Sequence, residues 1–360
     1  YAETEALCRE ILKALPDHVD AMHLLGMCAH DGRRLEEAQQ LLERVIALDP
    51  RLHDAHNNLA TVHFDLGDFE EARRCQERAI ALKPNFAVAL TNLGNTLMHL
   101  GQYEQAIELH ERAIKIKPDY ADAFCNRGMV ELVLGQIMRA KESFDRALSF
   151  QPRHAEAIVG TGMVSMELRH HEEAAAKFAM ALAIKPGAPR ILAQRGRLSY
   201  ELQRLEPALA DFDAALAISP KLELALRGKA QACLVMGKTA QAMAAATALI
   251  EQNPRSEVGL ALMGFSHSNQ GEMDAAIEYL DRALAIRPDY GDAIRGKIFL
   301  QDYRAEADFA LQQAVRRDWW DLIGSKLPRR TLPKRPLDPD KQIVVGYVAA
   351  EFRQHSAGLT

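Results

Sequence analysis

Residues 84–118 read PNFAVALTNLGNTLMHLGQYEQAIELHERAIKIKP, from one proline to the next, and the interval between those prolines governs the chain. Pro16, Pro50, Pro84, Pro118, Pro152, Pro186, Pro220, Pro254 and Pro288 stand 34 residues apart without an insertion. Other positions keep the same step. Twenty-two residues after each proline but the last stand Ala38, Ala72, Ala106, Ala140, Ala174, Ala208, Ala242 and Ala276. Ten residues after stand Gly26, Ala60, Gly94, Gly128, Gly162, Gly196, Ala230 and Gly264, always glycine or alanine. A fixed period of this length marks an array of like units that bury their apolar faces only by stacking.

Each unit reads as two antiparallel helices joined by a short turn. The small residues are expected where two helix backbones approach closely. Gly67, Gly101, Gly135, Gly237 and Gly271 fall between the helices, where a left-handed residue closes the first. The ladder proline ends the second helix, because it has no N–H and biases its predecessor away from helix. Glu36, Glu37, Glu70, Glu71, Glu172 and Glu173 open second helices, and Lys83, Lys117 and Lys185 close them, each at the favourable end of the dipole. Asp17, Asn85, Asp119 and Asp289 follow ladder prolines and are expected to cap the next helix.

The pattern resembles the tetratricopeptide repeat, carried by Leu90, Leu93, Gly94, Gly101, Ala106 and Pro118 and their equivalents. The resemblance implies an all-α, right-handed superhelix whose first helices line a concave face, the usual partner site of such arrays. Residues 1–18 read as the second helix of a truncated repeat and 19–290 as eight repeats. Residues 291–327 read as capping helices, with Trp319 and Trp320 expected over the last repeat or docking a neighbour. Residues 328–340 form a Pro-rich extended linker. Both ends read as cut from a longer protein.

Composition narrows the function. The chain has 360 residues, 48 % of them apolar, and a net charge of −5, which argues against a general nucleic-acid surface. No apolar run is long enough for a membrane span. Five scattered cysteines without a CxxC pair read as free thiols, and the expected compartment is the cytoplasm. His53, His56 and His63 lack a completing carboxylate or cysteine at metal-ligand spacing, so no metal or other cofactor is expected in this chain. Met129, Met163 and Met166 read as core or groove packing.

Eight residues after the ladder prolines, Asn58, Asn92 and Asn126 recur in phase, while Gly160, Gly228 and Leu262 break the run and Gln194 stands isolated as a fourth candidate. Asparagine is poor in helix interiors. A row of its amides can hydrogen-bond the backbone of an extended peptide, which places a peptide site in the first half of the array. The row resembles the asparagine ladder of the protein O-linked N-acetylglucosamine transferases. From Lys341 the pattern changes: Gln342 to Val348 reads as the first parallel strand of an α/β domain of which 341–360 is only the start. Gly346-Tyr347-Val348, then Glu351-Phe352 and His355-Ser356, resemble the opening of the catalytic region of that family and its SPINDLY-type relatives, with Glu351 in place of aspartate. By that resemblance His355 lines the active site, a longer parent takes a UDP-sugar donor, and acceptor proteins occupy the concave groove. The residues themselves leave a second reading open, a non-catalytic scaffold. A homodimer is possible on either.

Overall fold

Residues 2–303 and 309–326 are described by the structure, a computed structural model. Among them are nineteen α-helices, one 3₁₀ turn and no strand. The Pro-rich stretch 328–340, the expected strand at Gln342 to Val348 and His355 lie outside the described residues.

Helix α1 (Ala2–Ala14) leads into eight hairpins. The first four are α2/α3 (Val19–Asp31, Leu35–Leu48), α4/α5 (His53–Leu66, Phe69–Leu82), α6/α7 (Ala87–His99, Tyr103–Ile116) and α8/α9 (Ala121–Val133, Ile137–Phe150). The second four are α10/α11 (Ala155–Glu167, His171–Ile184), α12/α13 (Pro189–Glu201, Leu205–Ile218), α14/α15 (Glu223–Val235, Thr239–Gln252) and α16/α17 (Glu257–Asn269, Met273–Ile286). Helices α18 (Gly291–Tyr303) and α19 (Phe309–Leu322) follow, then the turn Gly324–Lys326. Each first helix touches the next first helix, α2 with α4 and so on to α16 with α18, whereas no two second helices meet. The stack therefore curves with its first helices inside, an all-helical solenoid.

The small residue ten after each proline does something more specific than bring backbones together. A Cβ at Gly94 would lie 2.5 Å from His110, and one at Gly128, Gly162 or Gly196 would lie 2.8 Å from Phe144, Phe178 or Phe212. These glycines make room for one large side chain sixteen residues on, fully buried in the second helix. Ala60 and Ala230 stand where that partner is Gln76 or Ala246.

The helix caps also lie elsewhere than expected. Residues such as Asn85 and Asp119 sit inside a turn closed by the next N–H, Phe86 to the Lys83 carbonyl and Tyr120 to the Lys117 carbonyl, both 3.1 Å. The N-cap is therefore two residues beyond the proline. His18 and His154 accept there, through Nδ1, from the N–H of Ala21 and Ala157, and Ser256 accepts from Gly259. Elsewhere the position is apolar. Phe86 and Tyr120 instead lie under the ammonium groups of Lys83 and Lys117, at 4.9 and 5.0 Å.

The turn glycines are left-handed as expected, with φ from 70° to 87°. At the same register Arg33, Arg169 and Gln203 adopt φ of 60°, 63° and 58°. In the first hairpin, Arg33 rather than the adjacent Gly32 takes the left-handed place. The conformation costs a side-chain-bearing residue about 1–2 kcal/mol, against about 0.5–1 kcal/mol of extra chain entropy for glycine. Arg169→Gly and Gln203→Gly should each stabilise the array by about 0.5 kcal/mol. Urea midpoints will check this; a lower midpoint for both would refute it.

At the far end α19 docks on α18 through Val315, the Arg316–Asp302 pair at 2.7 Å, and Gln312 donating to the Gln301 carbonyl. Trp319 and Trp320 pack against the turn at Gly324, and Trp320 stays 46 % exposed. The end cap is thus built mainly from Gln312, Val315 and Arg316, on the face of α19 that Trp319 shares one turn further on, while Trp320 points away.

Candidate functional site

The inner face carries two different surfaces. On α2, α4 and α6 it is polar. Asn58 donates from Nδ2 to His23 Nε2 at 2.9 Å, and Asn92 donates to Asn57 Oδ1 at 3.0 Å. Burial holds the His23 imidazole below its ordinary range although Asp54 and Asp20 favour its charged form, so it is neutral and free to accept. His23, Asn58, Asn57 and Asn92 thus orient one another across three successive first helices. Asn126 has no hydrogen bond among the described residues and is half-buried. Asn57, the residue next to the predicted row, was missed by counting at a single register. Its signal was the doubled Asn57-Asn58.

The row stops for a packing reason. A Cβ at Gly160 would lie 2.3 Å from Phe144, one at Gly228 2.3 Å from Phe212, and one at Gly296 2.4 Å from Phe265. At positions 160, 228 and 296 a phenylalanine ring of the preceding repeat thus occupies the space that a row side chain would need. Gln194 follows Phe178 and keeps its side chain, but its Oε1 is enclosed without a donor. Arg190, one helical turn before it on α12, is exposed.

The second surface lies on α12, α14, α16 and α18. A hollow of 580 Å³ opens between them, lined by Tyr200, Val235, Leu262, Phe265, Tyr290 and Phe299 among others, with Asp292 and Arg295 paired at its edge. Tyr200 and Phe299 belong to units three repeats apart, so the hollow is shared by four successive first helices. Burial first, then Asp292, pushes up the hydroxyl pKa values of both Tyr200 and Tyr290. By contrast, the hollow beside Asn58, between Met27, His30 and Thr61, holds 70 Å³. The larger of these two hollows on the inner face is therefore in the second half, where the sequence placed no site.

The remaining candidates are spread out. His56 bonds the Pro50 carbonyl at 3.1 Å, His53 faces Lys83, and His63 lies 3.8 Å from Asp68. Met166 is buried, and Met129 and Met163 pack at the edge of core clusters. His355 lies outside the described residues. No described helix is long and apolar enough to cross a membrane.

Comparison with known proteins follows the same outline. Family models described as tetratricopeptide repeat match residues 1–57, 53–86, 75–108, 125–189 and 259–290, and one described as TPR repeat matches 94–132. No curated protein matches the chain. Among solved structures, the crystal structure of the APC/C hetero-tetramer Cut9–Hcn1 is 14 % identical, with a TM-score of 0.63 over 81 % of this chain. The match spans 58 % of that relative's own length. A tetratricopeptide repeat protein from Parabacteroides merdae is 19 % identical, with a TM-score of 0.51 over 69 % of this chain and 98 % of its own. YrrB, described as a TPR protein with an unusual peptide-binding site, is 22 % identical and covers 53 % of this chain and 98 % of its own at a TM-score of 0.39. At such identities the likeness shows the fold alone. With hairpins α12/α13 and α14/α15 continuing the pattern between the matched segments, the chain is a tetratricopeptide-repeat protein.

Proposed function

We propose that this array is the protein-recruiting region of a protein O-glycosyltransferase, holding extended segments of acceptor proteins along its inner face. Tetratricopeptide repeats point to a protein–protein interaction scaffold, and that part of the reading rests on the fold. The observation behind a specific site is the oriented amide row of Asn57, Asn58 and Asn92, with Asn126 beyond it. Side-chain amides offer both donors and acceptors, so they can pair with the backbone of a passing strand whatever its side chains. Support for the transferase rests on two resemblances, that of Gly346 to Ser356, including His355, and that of the asparagine row. A UDP-sugar donor would belong to a catalytic region beyond the repeats.

Two experiments test this. Replacing Asn58, Asn92 and Asn126 together by alanine should weaken capture of acceptor segments about tenfold or more, with far-ultraviolet circular dichroism unchanged. Unchanged affinity would remove the row from the account. In the full-length gene product, transfer from a UDP-sugar to Ser or Thr should be measurable and should be lost in His355→Ala. If the intact product neither binds a UDP-sugar nor transfers from it, the chain is a scaffold without chemistry.

A further inference from the structure

The hollow between α12, α14, α16 and α18 is separate from the asparagine row, and the charges around it bear on what it could take. Most basic side chains on these first helices are engaged. Arg195 holds Asp211 through two bonds of 2.9 and 2.6 Å, Lys229 holds Asp213 at 2.6 Å, and Lys297 holds Asp281 at 2.6 Å. Arg197 lies 3.7 Å from Glu201, and Arg295 is paired with Asp292 at the rim. Arg227 is different. It stands one helical turn before Gln231, which lines the hollow, and so shares its face of α14. It is half-buried and makes no hydrogen bond or ion pair among the described residues. A hollow with an aromatic and aliphatic floor, a neutral Asp292–Arg295 pair at its rim and an uncommitted guanidinium beside it, near enough to act on Tyr290, is complementary to a carboxylate placed beside a large apolar side chain.

We propose that this hollow binds a short acidic segment of a partner protein. One aromatic or leucine side chain of that segment enters between Leu262, Phe265 and Phe299, while a neighbouring carboxylate pairs with Arg227. The inference rests on the protein-binding reading of the inner face but not on the asparagine row. Gly296 contributes by absence: its missing side chain leaves room for Phe265, whose ring floors the hollow. The chain's own continuation is a poor occupant, since Arg329, Arg330, Lys334 and Arg335 bring the wrong sign.

The test is fluorescence anisotropy on the full chain with a labelled peptide, Asp-Asp-Leu-Phe-Asp-Asp. Its companions carry Asn or Lys at every Asp, or Ala at Leu and Phe. The acidic peptide should bind about tenfold more tightly than the Asn analogue, in a salt-sensitive way. Arg227→Glu should weaken it about tenfold or more and improve the Lys analogue. Phe299→Ala, at a residue already 55 % exposed, should weaken the acidic and Asn peptides alike without loss of helix. The triple asparagine variant should bind the acidic peptide as the unmodified chain does.

Any of three results overturns the proposal: no preference for the acidic peptide, no effect of Arg227→Glu, or loss of binding in the asparagine variant. If the acidic peptide fails while acceptor segments still need the asparagine row, only this inference falls. If no segment binds either surface, the protein-binding reading falls with it.

Discussion

His110→Leu is expected to stabilise the protein and to remove part of its sensitivity to acid. His110 is fully buried in α7, and neither ring nitrogen has a hydrogen-bond partner. An unsatisfied buried polar group costs about 1–3 kcal/mol, which leucine would not incur. Leucine is the right replacement on this protein's own precedent. Leu42 occupies the same register in α3, fully buried, with a glycine before it, Gly26, and an asparagine after it, Asn58. Phenylalanine is the less direct precedent: Phe144 has a glycine on both sides, Gly128 and Gly160, whereas His110, like Leu42, is followed by an asparagine, Asn126.

The pH dependence has a definite sign. Burial, and secondarily Arg127, pushes the His110 pKa down to about 4, while an unfolded histidine titrates near about 6.5. Between those values the unfolded chain binds the extra proton and the folded chain does not, so folding loses stability as pH falls. The contribution is complete above about pH 6.5 and amounts to a loss of about 3 kcal/mol by pH 4. Urea denaturation of both proteins at pH 7.5 and pH 5 should show a gap that widens in acid. A gap of the same size at both pH values would refute a neutral buried imidazole.

Gly160→Ala should lower the urea midpoint, against the trend of helix propensity. Propensity alone predicts a gain of about 1 kcal/mol for glycine to alanine within a helix. Packing predicts the reverse: the new Cβ would sit 2.3 Å from one ring carbon of Phe144 and 2.4 Å from another. That ring is fully buried, and Gly128 already bounds it on the other side, so it has nowhere to go. Overpacking of this kind costs about 1–3 kcal/mol, and the net should be destabilising. Phe144→Leu alone should also destabilise, by about 1–2 kcal/mol through the void it leaves. Together the two changes should cost less than their sum, by about 1 kcal/mol or more. Strict additivity, or a stabilising Gly160→Ala, would show that the ring does not hold this glycine in place. Gly160→Asn, which would restore the row register, should be worse than alanine for the same reason.

These two positions show how far the chain could be read before its folding was known. The step of 34 residues, the small positions and the turn glycines were enough to give hairpins of equal length in the right places. The caps were displaced by one residue, because the turn after each proline consumes the first polar residue. The left-handed place fell on Arg33 rather than Gly32, since register and not residue type set the turn. The asparagine row was visible as a recurrence. Its bonds to His23 and Asn57 were not, because they cross from one repeat to the next.

The sequence by itself determined the architecture: a period repeated without error leaves stacked helical hairpins as the one way to bury every apolar face. Tertiary structure alone decided which inner positions are free to bind. Phe144 empties position 160, Phe265 floors a hollow beneath Gly296, and Tyr200 lines that hollow together with Phe299 from three repeats on. Those relations depend on how side chains of different units share space, and spacing within one unit does not contain that information.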